Sequence, residues 1–166
     1  MPRECNDDLS QDAEALYEAL NQLVRVHQFR DRDRICCYDV SVTQYYAVET
    51  LVKQGPLRLQ ALAEEMFLDK STASRVVDTL ERKGYVTRID DPEDRRAVRV
   101  QVTEAGISLY ERIRTDLIAE EKEMISGMTP EVRQGALTLL RQLTRATEVR
   151  CGLIDEPYSV RHPARG

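Results

Sequence analysis

The residues best suited to chemistry lie between positions 69 and 99. Asp69 is followed by Lys70, Ser71, Thr72, Ser74 and Arg75, a run of short hydroxyls bracketed by two cations. Hydroxyls of this size let a helix backbone approach the floor of a DNA groove and bond base edges or phosphates. An arginine can grip a guanine edge with two parallel hydrogen bonds. With Asp69 as an N-cap, the run also sits at a helix N-terminus, whose unpaired N–H groups favour phosphate. A second constellation is the turn-rich stretch DDPEDRR, with Asp94, Arg95 and Arg96 near its tip. The cysteines make a third: Cys5, the adjacent Cys36 and Cys37, and Cys151. Each has an ordinary explanation, since hydroxyl clusters follow many caps, charged turns are usually solvated, and free cysteines usually act as small buried hydrophobes. The first two gain weight from occurring together at this spacing.

Other chemistries find little support. Only His27 and His162 are present, in no metal-ligand spacing. The sequence has no glycine-rich phosphate loop and no C-x-x-C pair, and Glu120-Glu121-Lys122-Glu123 reads as a solvated helix face. An enzyme is therefore not expected, and no cofactor is required.

Composition sets the frame. With 42% hydrophobic and 32% charged residues over 166 positions, the chain reads as globular. No apolar run approaches the roughly 20 residues of a membrane span. The N-terminal MPRECNDDLS has acidic residues where a signal peptide needs an apolar stretch, so a cytoplasmic protein without a membrane partner is expected. The net charge of −5 argues at first against nucleic acid. Distribution matters more than the total, and Lys70 to Arg99 holds eight basic residues against six acidic ones.

The elements that must position these residues follow from periodicity. Leu9 to about Arg34 reads as one long helix, with Leu16, Leu20, Leu23, Val24 and His27 at helical spacing. Ser41 with Gln44 has the capping-box pattern, opening a short helix that Gly55-Pro56 ends. A second short helix turns Leu59, Leu62, Ala63 and Met66 inward. A third follows Asp69, with Ala73, Val76, Val77 and Leu80 as its apolar stripe and Gly84 as its C′ residue. The period then changes to two in Tyr85–Ile89 and Ala97–Val102, which predicts a hairpin with a charged tip. Thr103 opens another long helix, ended by Gly127. Thr129-Pro130-Glu131 starts the last, with Val132, Leu139, Leu140 and Leu143 apolar.

The stretch from Val40 to Gly106 resembles the MarR family, the multiple-antibiotic-resistance regulators. The resemblance is carried by VSVTQ, ALAEEM, LDKSTASRVVDTLERKGYV and, most specifically, DDPEDRRAVRVQVTEAG. With the flanking helices it covers about Leu9 to Arg150. It implies a mainly α fold with a small β-hairpin wing: a winged helix-turn-helix between long N- and C-terminal dimerisation helices. The expected segments are 1–38 for the first dimerisation helix, 39–103 for the DNA-binding module, 104–151 for the C-terminal helices and 152–166 for a flexible tail. Carried over by position, Ser71, Thr72, Ser74 and Arg75 would face the major groove beside Lys70. Arg95 or Arg96 would enter the minor groove, with Asp94 bracing an arginine by an ion pair. Arg58 departs from the pattern, standing where a small hydroxyl usually caps the second helix.

The long helices carry more apolar positions than a small module can cover, so a homodimer is expected. Its two reading helices would meet double-stranded DNA at a pseudo-palindromic operator. Regulators resembling this family respond to small aromatic acids, oxidants or metals. Candidate sensor residues are Cys36 and Cys37, or an organic site lined by Tyr38, Tyr45, Tyr46, His27 and Arg30. A four-cysteine metal site in one chain is disfavoured, because a continuous helix of about 39 Å separates Cys5 from Cys36. Cys5 and Cys151 could meet across a dimer. The rival reading is a winged-helix module that contacts protein without DNA.

Overall fold

The computed structural model describes residues 4–154, with side chains from Asp8 onward. Two compact units divide the chain, Met1–Ala119 and Glu120–Gly166.

In the first unit, α1 (Glu4–Ile35) is one uninterrupted helix of 32 residues, longer at its start than its apolar pattern suggests. Leu16, Leu23, Val24 and Phe29 are exposed along it, whereas its last residue, Ile35, is fully buried. A single 3-10 turn, Cys36–Tyr38, leads into α2 (Val42–Gln54). The capping box opens α2 as expected: Gln44 N–H donates to Ser41 Oγ, and Ser41 N–H donates to Gln44 Oε1. After β1 (Leu57–Arg58) come α3 (Leu59–Glu65) and α4 (Lys70–Arg82). The hairpin strands are β2 (Val86–Asp90) and β3 (Val98–Val102), and α5 (Glu104–Met124) follows.

The sheet has order β1-β3-β2 and is antiparallel throughout, with Leu57 opposite Val100 and Val86 opposite Val102. β1 is a correction to the sequence reading, since two residues after Gly55-Pro56 are too short to show a period. Val48 and Leu51 of α2, Leu62 of α3, Val77 and Leu80 of α4, Val86 and Val100 of the sheet, and Ile113 of α5 form one core.

Two junctions fix the reading helix. At its C-terminus Gly84 takes φ +78°. Its N–H donates to Glu81 O while Tyr85 N–H donates to Leu80 O, the paired bonds of a Schellman motif. At the far side of the hairpin, Thr103 Oγ donates to Gly84 O at 2.7 Å and Thr103 N–H to Tyr85 O at 3.0 Å. Gly106 N–H in turn donates to Thr103 Oγ at 3.1 Å. A Cβ at Gly106 would lie 2.2 Å from Tyr85 O, so only glycine fits there.

The second unit holds the end of α5 and α6 (Pro130–Arg150). Thr129 caps α6 by accepting from Val132 N–H, with Pro130 at the first helical position. No residue of α6 is buried, and Val132, Leu137, Leu139 and Leu140 are exposed. The tail expected from 152 is a turn to Ile154, and its remainder lies outside the described residues.

Candidate nucleic-acid interface

Asp69 organises the head of α4. Its carboxylate accepts from Thr72 N–H at 2.9 Å, Thr72 Oγ at 2.6 Å and Ser71 Oγ at 2.5 Å. These donors, the Ser71 and Thr72 hydroxyls first, hold its pKa well below the usual carboxylate range. Both hydroxyl protons are thereby used inside the protein. What Ser71 and Thr72 offer outward is acceptor lone pairs, which suit the exocyclic amines of adenine or cytosine. Lys70, Ser71 and Arg75 are exposed; Thr72 and Ser74 are half-buried.

The wing is anchored differently from the sequence reading. The ion pair expected at Asp94 lies at Asp91. Asp94 instead accepts the backbone N–H of Arg96 at 3.0 Å, closing the tip as a turn. Asp91 is buried, and it receives Arg99 at 3.0 Å and Arg58 at 2.5 Å, while Glu93 N–H donates to it at 2.9 Å. Arg99 and then Arg58 pull its pKa well below the usual range. Arg58 makes no side-chain cap for α3, as the sequence suggested, because its guanidinium serves the wing. Sequence reasoning missed Asp91 and Arg58 as partners, which are 33 positions apart. The only available signal was an arginine where a hydroxyl cap belongs.

These pairings resolve the charge question. Arg88 is held by Asp78 and Glu81, Arg99 by Asp91 and Glu93, and Lys83 by Asp39. The acidic side chains of this region thus hold Arg88, Arg99 and Lys83, while Arg82 donates to Asp78 O and Thr79 Oγ. Among the described residues, Lys70 and Arg75 at the head of α4 and Arg95 and Arg96 at the wing tip are left without a carboxylate partner.

Comparison with known proteins agrees with this geometry. The model of the MarR family matches residues 40–98. The HTH-type transcriptional regulator MhqR of Bacillus subtilis is 32% identical over 106 residues, spanning 64% of this chain and 73% of its own. The chain belongs to the MarR family. A second relative, the HTH-type transcriptional repressor MdtR of the same organism, is 25% identical over 142 residues, covering 86% of this chain and 90% of its own. A solved MarR family protein from Bacillus stearothermophilus shares the fold, with a TM-score of 0.78 at 23% identity over 83% of this chain and 96% of that one. The protein is thus a DNA-binding transcriptional regulator with the MarR winged helix, and these relatives are regulators, not enzymes. No helix among the described residues is long and apolar enough to cross a membrane.

In this MarR-family chain the expected effector residues converge only in part: the Tyr45 and Tyr46 rings lie 5.7 Å apart, while Tyr38 lines a different cavity. Tyr45 is 4% exposed and stacks on Tyr110 with ring centroids 6.0 Å apart, so it is core and its burial raises its pKa. Arg30 pairs with Asp31 at 2.8 Å. His27 is half-buried and lines neither of the cavities described next. Tyr46 lines a cavity of about 470 Å³ with Arg25, Gln28, Phe29, Asp31, Arg32 and Val42, and its hydroxyl donates to Asp31 at 3.5 Å. Positions 25, 28, 29 and 32 share one face of α1, a spacing legible in the sequence. Tyr38 lines a separate cavity of about 310 Å³ against α5, where its hydroxyl donates to Asp116 and Arg112 lies 5.3 Å from its ring centre. Cys36 and Cys37 are both exposed, against the expectation of buried small hydrophobes, and Cys151 is exposed too. The side chain of Cys5 is outside the described residues, so its pairing with Cys151 is not addressed by the structure.

Proposed function

We propose that this protein is a homodimeric repressor that reads a pseudo-palindromic operator with α4 and the wing. The observation that carries the reading is the selective pairing of charge. Arg88, Arg99 and Lys83 are paired with carboxylates, whereas Lys70 and Arg75 on α4 and Arg95 and Arg96 on the wing stand free for DNA. Arg75, with Ser71, Thr72 and Ser74, reads the major groove; Arg95 or Arg96 enters the minor groove; Lys70 neutralises phosphate. Dimerisation is supported by the exposed apolar side chains of α1 and of α6, which a second copy would cover. Repression is favoured by MdtR, whose name describes a repressor.

An effector signal completes the proposal. The cavity beside α1 offers two guanidiniums, Arg25 and Arg32, against one carboxylate, Asp31, next to the Phe29 and Tyr46 rings, a chemistry that suits a small aromatic molecule with polar substituents. Selection of the purified protein against a random duplex library tests the DNA reading. An enriched inverted repeat with half-sites about one helical turn apart, roughly 34 Å, is the expected result. A folded protein that enriches no sequence at low salt would overturn it.

A further inference from the structure

The turn between α1 and α2 combines three features that the DNA-reading surface does not use. Cys36 and Cys37 are adjacent, and both are exposed. They are pinned on either side by Ile35, fully buried, and Val40, 4% exposed. Asp39 closes the turn in the left-handed region at φ 59°.

Adjacent thiols favour one kind of ligand. Across a trans peptide their Cα atoms lie about 3.8 Å apart. That is shorter than the roughly 4.4–6.8 Å over which disulfides form without strain. A single soft atom bound by both sulfurs removes the conflict, because the sulfurs then need not touch. No group of three or more His, Cys, Asp or Glu side chains able to hold a metal ion occurs among the described residues. The fit is therefore to a centre that takes two thiolates and carries its remaining substituent itself.

The turn is wired to the reading module. Lys83, just past α4, donates to Asp39 O and lies 3.5 Å from the Asp39 carboxylate. Tyr38, next to Cys37, donates to Asp116 of α5 beneath Arg112. A change of shape at Cys36–Cys37 thus acts on the end of the reading helix and on α5 together.

We propose that Cys36 and Cys37 form a dithiol site for monosubstituted trivalent arsenicals, and that filling it weakens operator binding. The regulatory half rests on the DNA-binding reading above; the binding half does not. With phenylarsine oxide the step is an exchange: two As–S bonds form, two S–H bonds break, and the arsenyl oxygen leaves as one water with both thiol protons. Arsenic stays trivalent, so no oxidant or reductant enters.

The test treats the reduced full-length protein with phenylarsine oxide, followed by excess glutathione, and reads intact mass. One arsenical per chain should survive the monothiol and be removed by 2,3-dimercaptopropanol. It should disappear in Cys36→Ser and in Cys37→Ser but persist in Cys151→Ser. An adduct surviving in either Cys36→Ser or Cys37→Ser, or none in the unaltered chain, overturns the site. On a selected operator, loading should weaken affinity by about 5–150-fold, the usual range of coupling between sites. A stable adduct with unchanged affinity overturns the regulatory half. Failure to find any operator would strike the DNA-binding reading instead, and the mass result would stand apart from it.

Discussion

The guanidinium of Arg58, at the head of α3, reaches 33 positions along the chain to the buried carboxylate of Asp91, at 2.5 Å. Asp91 also takes Arg99 of β3 at 3.0 Å, so one acid ties a helix of the reading module to both ends of the wing. Removing the acid leaves Arg58 unpartnered and Arg99 with the exposed Glu93 alone, whereas removing Arg58 leaves the Arg99–Asp91 pair in place. Amide hydrogen exchange should therefore rank the variants. Asp91→Ala should speed exchange at Asp94 and Ala97, whose N–H groups close the wing turn, more than Arg58→Ala does. Equal effects would show that Arg58 carries the brace alone.

Arg75 and the wing arginines should fail in different ways. Arg75→Ala should cost about 1–3 kcal/mol of operator affinity and relax the preference for one base pair. Of Arg95→Ala and Arg96→Ala, the variant that loses the minor-groove contact should weaken narrow, A·T-rich sites most, whereas one that loses a phosphate contact should weaken all sequences alike and shallow the slope of log K against log salt by about 1. Fluorescence anisotropy across a salt series on matched and mismatched duplexes separates the two patterns.

Phe67 is a local flaw that can be repaired. It sits at φ 53° between α3 and α4 with its ring exposed, in a conformation that glycine adopts freely. Phe67→Gly should raise stability by about 1 kcal/mol, a rise in Tm of roughly 2–4 °C for a chain of this length. A fall in Tm would mean that the ring makes contacts worth more than the backbone relief.

Gly106 should tolerate no side chain. A Cβ there would press on Tyr85 O and on the Val102 side chain, at 2.2 and 2.7 Å. Gly106→Ala is expected to cost about 1–3 kcal/mol through overpacking, measured by chemical denaturation.

Acid should unfold the reading module through its paired carboxylates. Asp69 and Asp91 both have folded-state pKa values below their ordinary ones. Their contribution is complete above the unfolded value, about 3.9, and is lost as pH falls through the lower folded values. Tm should thus hold near neutrality and decline below about pH 4. Asp91→Asn should flatten that acid limb, and an unchanged limb would place its origin elsewhere.

Local signals made most of the fold readable. Ser41 with Gln44, Asp69, Gly84 and Thr129-Pro130 each mark an element end through neighbours within a few residues, and each sits where the sequence put it. What escaped is pairing across distance. β1 has two residues, and its pairing with β3 depends on a partner some 40 positions away. The resemblance points to Asp94 at the wing tip for the brace, whereas burial selects Asp91. Tyr45 and Tyr46 are adjacent and chemically alike, yet one is core and the other lines a cavity, a difference set by helix rotation that composition does not reveal.

The bonds joining Thr103 to Gly84 and Tyr85, with no room for a side chain at Gly106, leave no slack between the end of α4, the first wing strand and the opening turns of α5. A twist of those turns carries both contact elements through the same angle. In the proposed dimer such a protein would work as a caliper: a signal would change the gap between the jaws and leave each jaw's shape alone. Release from DNA would then come from mismatched spacing, with every half-site still able to fit its own reader.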